Sequence, residues 1–247
     1  MIRGCDISVY QGTVDFAKMK AAGVNFVILK ATQGNYWDSK FKANWQASQG
    51  ILPRAAYHFY DWNYTLQANI DALCNAYTLY PCEFNPVLDF ESTVNAPGQT
   101  TAASYCLRFL QEVESRIGKT PLLYTSPGYW ASHGSSSAEF SKYPLWIAHY
   151  GVSIPTVPKP WSKWHFWQYT SKGDGKAYGV ASMSIDLDYW NGTLEEFKAW
   201  AGLLPPPAPE PTLEQRLAAC EAKLADHEAR IQALEAINHI YLPIVQK

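Results

Sequence analysis

An α/β barrel with an incomplete helical jacket, followed by a C-terminal helical coiled-coil segment, is the fold that the sequence predicts, and three observations predict it. Strand-like and helix-like segments alternate as far as Thr125, and such alternation argues for a parallel sheet with helices packed outside it. Beyond Thr125 the rhythm changes to strand-like runs joined by stretches rich in Gly, Ser, Pro and Lys. About eight strands result, the first five followed by helices or helix-like turns and the last three joined by loops, an irregular (β/α)5(β)3 order. Lastly, a proline-rich stretch separates this region from a C-terminal heptad pattern.

The first strand is read at CDISVY, and the next four at NFVILKAT (25–32), PRAAYHFY (53–60), NPVLDFE (85–91) and TPLLYTS (120–126), runs rich in β-formers. Between them lie helical patterns at 14–23 and 39–50, each ending in glycine, at 66–80, stopping before Pro81, and at 100–118. The last of these begins on a threonine suited to an N-cap and closes on Gly118. PLWIAHY, WHFWQYT and SIDLDYW supply the remaining strands. The domain boundaries follow: a barrel over residues 1–202, a linker at 203–212 (LLPPPAPEPT), and a helical segment at 213–247. Prolines make that linker a stiff, extended spacer. In the helical segment Leu217, Leu224, Ile231 and Asn238 fall on one seam position and Leu213, Cys220, His227, Leu234 and Tyr241 on the other. A homo-oligomer through residues 213–247 is the expectation, with Asn238 setting register and His227 making assembly pH-sensitive.

Composition excludes several classes. Hydrophobic residues make up 47% and charged residues 17% of the 247, which describes a folded protein with a sizeable core. Residues 1–204 carry 16 acidic and 16 basic side chains, and the remainder 6 and 4, so the basic excess of a nucleic-acid binder is missing. No apolar run reaches the length of a membrane span. The N-terminus, MIRGCDISVY, has neither the basic region nor the apolar stretch of a secretory signal. The five cysteines, Cys5, Cys74, Cys82, Cys106 and Cys220, match no zinc spacing. Buried free thiols are expected for the first four, with a Cys74–Cys82 bridge as the alternative. All ten tryptophans precede residue 201. Their surplus favours a groove for sugar rings, against which flat aromatic faces stack.

The chemistry is concentrated in PVLDFE (86–91). Strand side chains alternate, so Asp89 and Glu91 point one way, roughly 7 Å apart along the backbone, and Phe90 the other. Carboxylates so placed push each other's pKa values apart, which suits an acid/base pair. Asp6 near the end of the first strand and Asp186 in the last join them at the end of a barrel where such folds carry their chemistry. His58 and His149 flank inward residues and should therefore face outwards. Four acids could also bind a hard cation, but no HExxH-type ligand motif accompanies them.

These segments in this order resemble glycoside hydrolase family 25, the muramidases (lysozymes) that include fungal, actinomycete and phage endolysin enzymes. The resemblance spans roughly residues 2–200 and rests on GCDISVYQG, AAYHFY, PVLDFE, LLYTSPGYW, PLWIAHYG, FWQYT and SIDLDYWNG. It implies an irregular, TIM-like barrel and cleavage of the β-1,4 bond between N-acetylmuramic acid and N-acetylglucosamine in peptidoglycan, without a metal or other cofactor. It implies Glu91 as general acid and Asp89 as the partner of the substrate's 2-acetamido group, with direct attack by the aspartate as the alternative. Asp6 and Asp186 would tune charge, and Tyr57, Tyr124, Trp146 and Gln168 would line the groove. Asp188, two residues from Asp186, stands where the family motif more often has asparagine. A phage endolysin held in the host bacterial cytoplasm until released to the wall is the implied setting. The competing expectation from a different class is a non-catalytic wall-binding or virion module.

Overall fold

Eight strands close on one another because β1 (Ile2–Ile7) pairs along both edges, parallel with β2 (Val24–Gln33) and antiparallel with β9 (Ser184–Trp190). The computed structural model describes residues 1–204 and 212–241, with side chains as far as residue 236. From β2 the ring continues in parallel through β4 (Arg54–Phe59), β5 (Val87–Asp89), β6 (Leu122–Thr125), β7 (Leu145–Ala148) and β8 (Phe166–Asp174). Only β9 runs against both neighbours. The two-residue β3 (Tyr36–Trp37) folds back on the end of β2, outside the ring.

Helices α1 (Phe16–Ala21), α2 (Phe41–Ala47), α3 (Leu66–Leu79), α4 (Gln99–Ile117) and α5 (Pro127–His133) follow the first five barrel strands, as the sequence pattern predicts. Local chemistry sets their ends. Thr65 caps α3 through the Ala68 amide, and Ser126 caps α5, with Pro127 in the first turn, where no N–H is needed. One cap differs from expectation. Gly98, with no side chain to offer, precedes α4, and Thr100 lies inside the helix; its closing glycine, Gly118, adopts the expected left-handed conformation (φ 69°). A short α6 (Leu194–Trp200) follows β9.

Alternation along the strands divides the core in two. Outward residues Leu88, Phe90, Leu123, Leu145 and Ile147 pack with Cys106, Phe109 and Leu110 of α4. Inward residues Phe26, Phe166 and Trp190 meet Phe84, just before β5, and Phe197 of α6 in an aromatic plug, with Phe26–Phe166 centroids 5.1 Å apart and Phe26–Phe197 centroids 5.3 Å apart. Gly4 on β1 permits this plug, because a Cβ there would sit 2.0 Å from the Phe26 ring. Cys5, Cys74, Cys82 and Cys106 are buried free thiols, so the Cys74–Cys82 bridge does not form.

Residues Met1–Leu204 and Pro205–Lys247 are separate units. Most of the linker expected at 203–212 lies outside the described residues, as do 242–247 and the side chains of Asn238 and Tyr241. The described part of the second unit is one helix, α7 (Leu213–Tyr241), opened by a reciprocal cap between Thr212 and Gln215.

Candidate active site

Above the aromatic plug the inward positions change character. Asp6 of β1, Lys30 of β2, Tyr57 of β4, Asp89 of β5 and Tyr124 of β6 lie toward the C-terminal mouth of the parallel strands, Gln168 of β8 pairs there with Ala148 at the end of β7, and Trp146 of β7 sits one step deeper, paired with Phe166. Asp186 and Asp188 reach the same mouth from the other direction. Because β9 is antiparallel, its beginning lies there, and the register sets Asp186 opposite Asp6 and Asp188 opposite Gln168. The PVLDFE backbone is fixed on both sides, since Asp89 O accepts from Tyr60 N and Phe90 N donates to Tyr124 O. Phe90 is fully buried on the outer face, and Asp89 and Glu91 face the mouth, so the alternation expected from the hexapeptide holds.

A chain of hydrogen bonds ties these side chains together. Gln168 Nε2 donates to Asp6 Oδ2 at 2.7 Å, and its Oε1 accepts from the hydroxyls of Tyr124, at 2.9 Å, and Tyr150. The amide is thereby oriented, nitrogen toward carboxylate and oxygen toward hydroxyls. Trp146 Nε1 donates to Asp188 Oδ1 at 2.9 Å. Trp146 is only 2% exposed, so it props the acid cluster and stands edge-on to Tyr124 rather than offering a face to solvent.

Five carboxyl groups in this space cannot all ionise freely. Burial, and then the negative charges of Asp186 and Asp188, hold the Asp6 pKa well above the usual range. Asp89 is raised by burial and by Glu91, against the pull of the Lys30 ammonium. Glu91 is raised by burial and by Asp186, while the neighbouring Tyr124 hydroxyl opposes the shift. Burial lifts Asp186 to about 6, against its bond with Asp6, and holds Asp188 well above the usual carboxylate range, with the Trp146 indole and Asp6 opposing. Burial lowers Lys30, although Asp89, Asp38 and Glu91 all favour its charge. Two buried acceptors, Asp89 Oδ1 and Asp188 Oδ2, have no hydrogen-bond partner among the described residues. An unpaired buried acceptor costs about 1–3 kcal/mol, so each is either protonated or poised to accept from a ligand. Glu91 differs: it is half-buried and borders a cleft of about 350 Å³ lined also by Thr93, Ser126, Tyr129 and His133.

His58 and His149 lie outside this machinery. His58 is fully buried on the outer face, bonded to Thr32 through Nδ1 and to Asn69 of α3 through Nε2, and burial lowers its pKa to about 4. It is a neutral core residue. His149 accepts from the Thr156 amide. Among the described residues, no group of three His, Cys, Asp or Glu side chains is arranged to hold a metal ion. Two members of the site escaped the sequence reading, Lys30 and Tyr150. Lys30 carried the same signal as PVLDFE, a charge inside an apolar strand run, NFVILKAT. Tyr150 carried none, since it is a half-exposed residue beyond the end of β7 whose hydroxyl turns back to Gln168.

The model of the family described as "Glycosyl hydrolases family 25" matches residues 5–177. The chain belongs to glycosyl hydrolase family 25. Lysozyme M1 of Streptomyces globisporus is 32% identical over 212 residues, covering 81% of this chain and 71% of that protein. The bacterial lysozyme from Streptomyces coelicolor superposes with a TM-score of 0.72 at 29% identity, covering 82% of this chain and 98% of that one. The CTP1L endolysin gives a TM-score of 0.64 at 28% identity, over 82% of this chain and 70% of that one. As a family 25 glycosidase the protein has its acids where glycoside hydrolysis needs them, at the open end of a rigid barrel.

Proposed function

We propose that this family 25 glycosidase is a muramidase acting on peptidoglycan, at the β-1,4 bond between N-acetylmuramic acid and N-acetylglucosamine. The observation that carries the reading is the contrast between two acids only two residues apart. Glu91 is raised in pKa yet open to the cleft, whereas Asp89 is buried with Oδ1 unpartnered. Glu91 delivers its proton to the glycosidic oxygen as the bond to the anomeric carbon breaks. The substrate's 2-acetamido carbonyl oxygen attacks that carbon, its N–H donating to Asp89, which Lys30 helps to keep anionic. Water then opens the cyclic intermediate, giving its proton to the Glu91 carboxylate, and configuration is retained. Asp6, Asp186 and Asp188 supply negative potential toward the developing oxocarbenium charge. Tyr57, Tyr124 and Gln168 contact the sugar, and Trp146 acts through Asp188.

A phage endolysin role is part of the same proposal. The likeness to the CTP1L endolysin supports it, and no helix among the described residues is long and apolar enough to cross a membrane. The test of the activity is digestion of purified peptidoglycan by the protein and by Glu91→Gln, followed by borohydride reduction and sugar analysis. Reduced muramic acid from the first and almost none from the second is the expected result. Reduced glucosamine would overturn the bond assignment. No new reducing ends, with the protein sedimenting with the wall, would replace the enzyme reading by a binding module.

A further inference from the structure

Helix α7 carries an exposed apolar seam and a charge pattern that together specify its partner. Leu213, Leu217, Leu224, Ile231 and Leu234 are each more than half exposed, and Cys220 and His227 are exposed on the same seam. Five large aliphatic side chains along one stripe of a helix about 43 Å long mark a surface that is covered in the working protein. With Leu217, Leu224, Ile231 and Asn238 as heptad a and Leu213, Cys220, His227, Leu234 and Tyr241 as d, the charged flanking positions sort by sign. Every e position is glutamate: Glu214, Glu221, Glu228 and Glu235. The first three g positions are basic, Arg216, Lys223 and Arg230, and the fourth is Ile237. The ion pairs among the described residues all lie in residues 1–204, so none of these charges is satisfied within the helix.

We propose that α7 pairs with α7 of a second copy of this chain in a parallel, in-register, two-stranded coiled coil. In a parallel pair each g residue faces the e′ residue five positions further along its partner, which sets Arg216 against Glu221, Lys223 against Glu228 and Arg230 against Glu235, each pair formed twice. In an antiparallel pair e faces e′ and g faces g′, setting glutamate against glutamate and base against base. The charges therefore select orientation by attraction in one arrangement and repulsion in the other. Strand number follows from the polar seam residues. By heptad position His227 and Asn238 fall on the seam, and two strands leave such layers partly solvated, whereas three or four strands bury polar groups more deeply at a greater desolvation cost. Parallel pairing brings the N-terminal ends of the two helices together, so the two chains' barrels are joined through one dimer. On a polymeric substrate the second barrel then binds at a raised effective concentration, a consequence that rests on the peptidoglycan reading although the pairing itself does not.

Cys220 makes the geometry measurable. It is the one exposed cysteine of the five, and at a d position it meets its own counterpart only in the parallel register. In a fully overlapped antiparallel pair the two thiols would lie about 20 Å apart. The experiment uses the full chain, with its mass measured by sedimentation equilibrium from low to high micromolar concentration, alongside treatment with diamide. Diamide takes two electrons and two protons from the two thiols as the S–S bond forms. The expected mass is twice 27.8 kDa, with a disulfide-linked dimer that Cys220→Ser abolishes. The triple variant Glu221→Lys/Glu228→Lys/Glu235→Lys is expected to be monomeric, and to pair again when mixed with Arg216→Glu/Lys223→Glu/Arg230→Glu. Both variants keep the seam, so loss of the helix does not mimic the result. A monomer at every concentration, a larger assembly, a dimer that diamide fails to link, or a dimer indifferent to the charge reversals would each overturn the proposal.

Discussion

The two ends of the barrel interior are built from the same strands and solve opposite problems. On β8, Phe166 lies in the aromatic plug and Gln168 in the acid network; on β5, Val87 packs inside and Asp89 meets Glu91; on β9, Trp190 faces Phe197 and Asp186 faces Asp6. Two to four residues along a strand carry the chain from close-packed rings to carboxyl groups that repel one another. The plug buries surface at about 25 cal/mol per Å². The mouth holds charges out of water, against the preference of every one of them. Stability and chemistry are thus separated along the strand axis, and a change at one end should leave the other quantity largely alone.

The largest effects test that separation most directly. Glu91→Gln removes the proton donor without changing shape, and the lytic rate should fall by roughly 10²–10⁴-fold, the range of general acid catalysis. Its melting temperature should hold or rise, because one raised, repelling carboxyl has gone. Phe166→Ala does the reverse. It opens a cavity among Phe26, Phe84 and Trp190 and should lower stability by about 3–5 kcal/mol, read by denaturant unfolding. The protein that remains folded should keep most of its activity per molecule. If Phe166→Ala abolished lysis at full stability, the two ends would not be independent.

The same contrast explains what the sequence disclosed. Repelling acids in an apolar run are conspicuous, so Asp6, Asp89, Glu91 and Asp186 stood out, and strand alternation placed them on the inner face. Strand direction left no such mark. SIDLDYW reads as a strand whichever way it runs, and only the register beside β1 and β8 shows that its first half, not its second, forms the mouth. Tyr124 and Trp146 carried no sequence signal beyond the family resemblance, because an aromatic residue in a strand serves core and site alike. The Trp146–Asp188 bond, which joins residues 42 apart, is a product of closure alone.

Asp188 is where the repulsion is most dispensable. It is fully buried, and its Oδ1 already accepts from Trp146 while Oδ2 has no partner. Asn in its place keeps the acceptor and adds a donor within reach of Asp6. The sign follows from linkage: folded Asp188 holds its proton more tightly than the unfolded chain does, so stability falls as pH rises from the ordinary aspartate range toward the raised value. Asp188→Asn should therefore raise stability near neutral pH, read as a Tm above that of the parent protein. The gain should vanish near about pH 4, where the unfolded aspartate also begins to protonate. A loss of stability at neutral pH would mean that the Trp146 bond needs a full negative charge.

The smallest expected effect discriminates most finely between roles. If Glu91 is the acid, it must be protonated in the free enzyme, and kcat/KM falls as pH rises through its raised pKa. Two neighbours act on that pKa with opposite signs. The Tyr124 hydroxyl beside the carboxylate holds the pKa down, so Tyr124→Phe should move the alkaline limb to higher pH. Asp186 is negatively charged and holds it up, so Asp186→Asn should move the limb to lower pH. Each variant also disturbs its own contacts, Tyr124 with Gln168 and Asp186 with Asp6, so the height of the profile falls in both. Height therefore says little, and the position of the limb carries the information. Opposite displacements from two variants that both lose activity are hard to obtain from general damage to the mouth. Displacement in the same direction, or none, would assign the titration to a group other than Glu91 and return the proton donor to its four carboxyl neighbours.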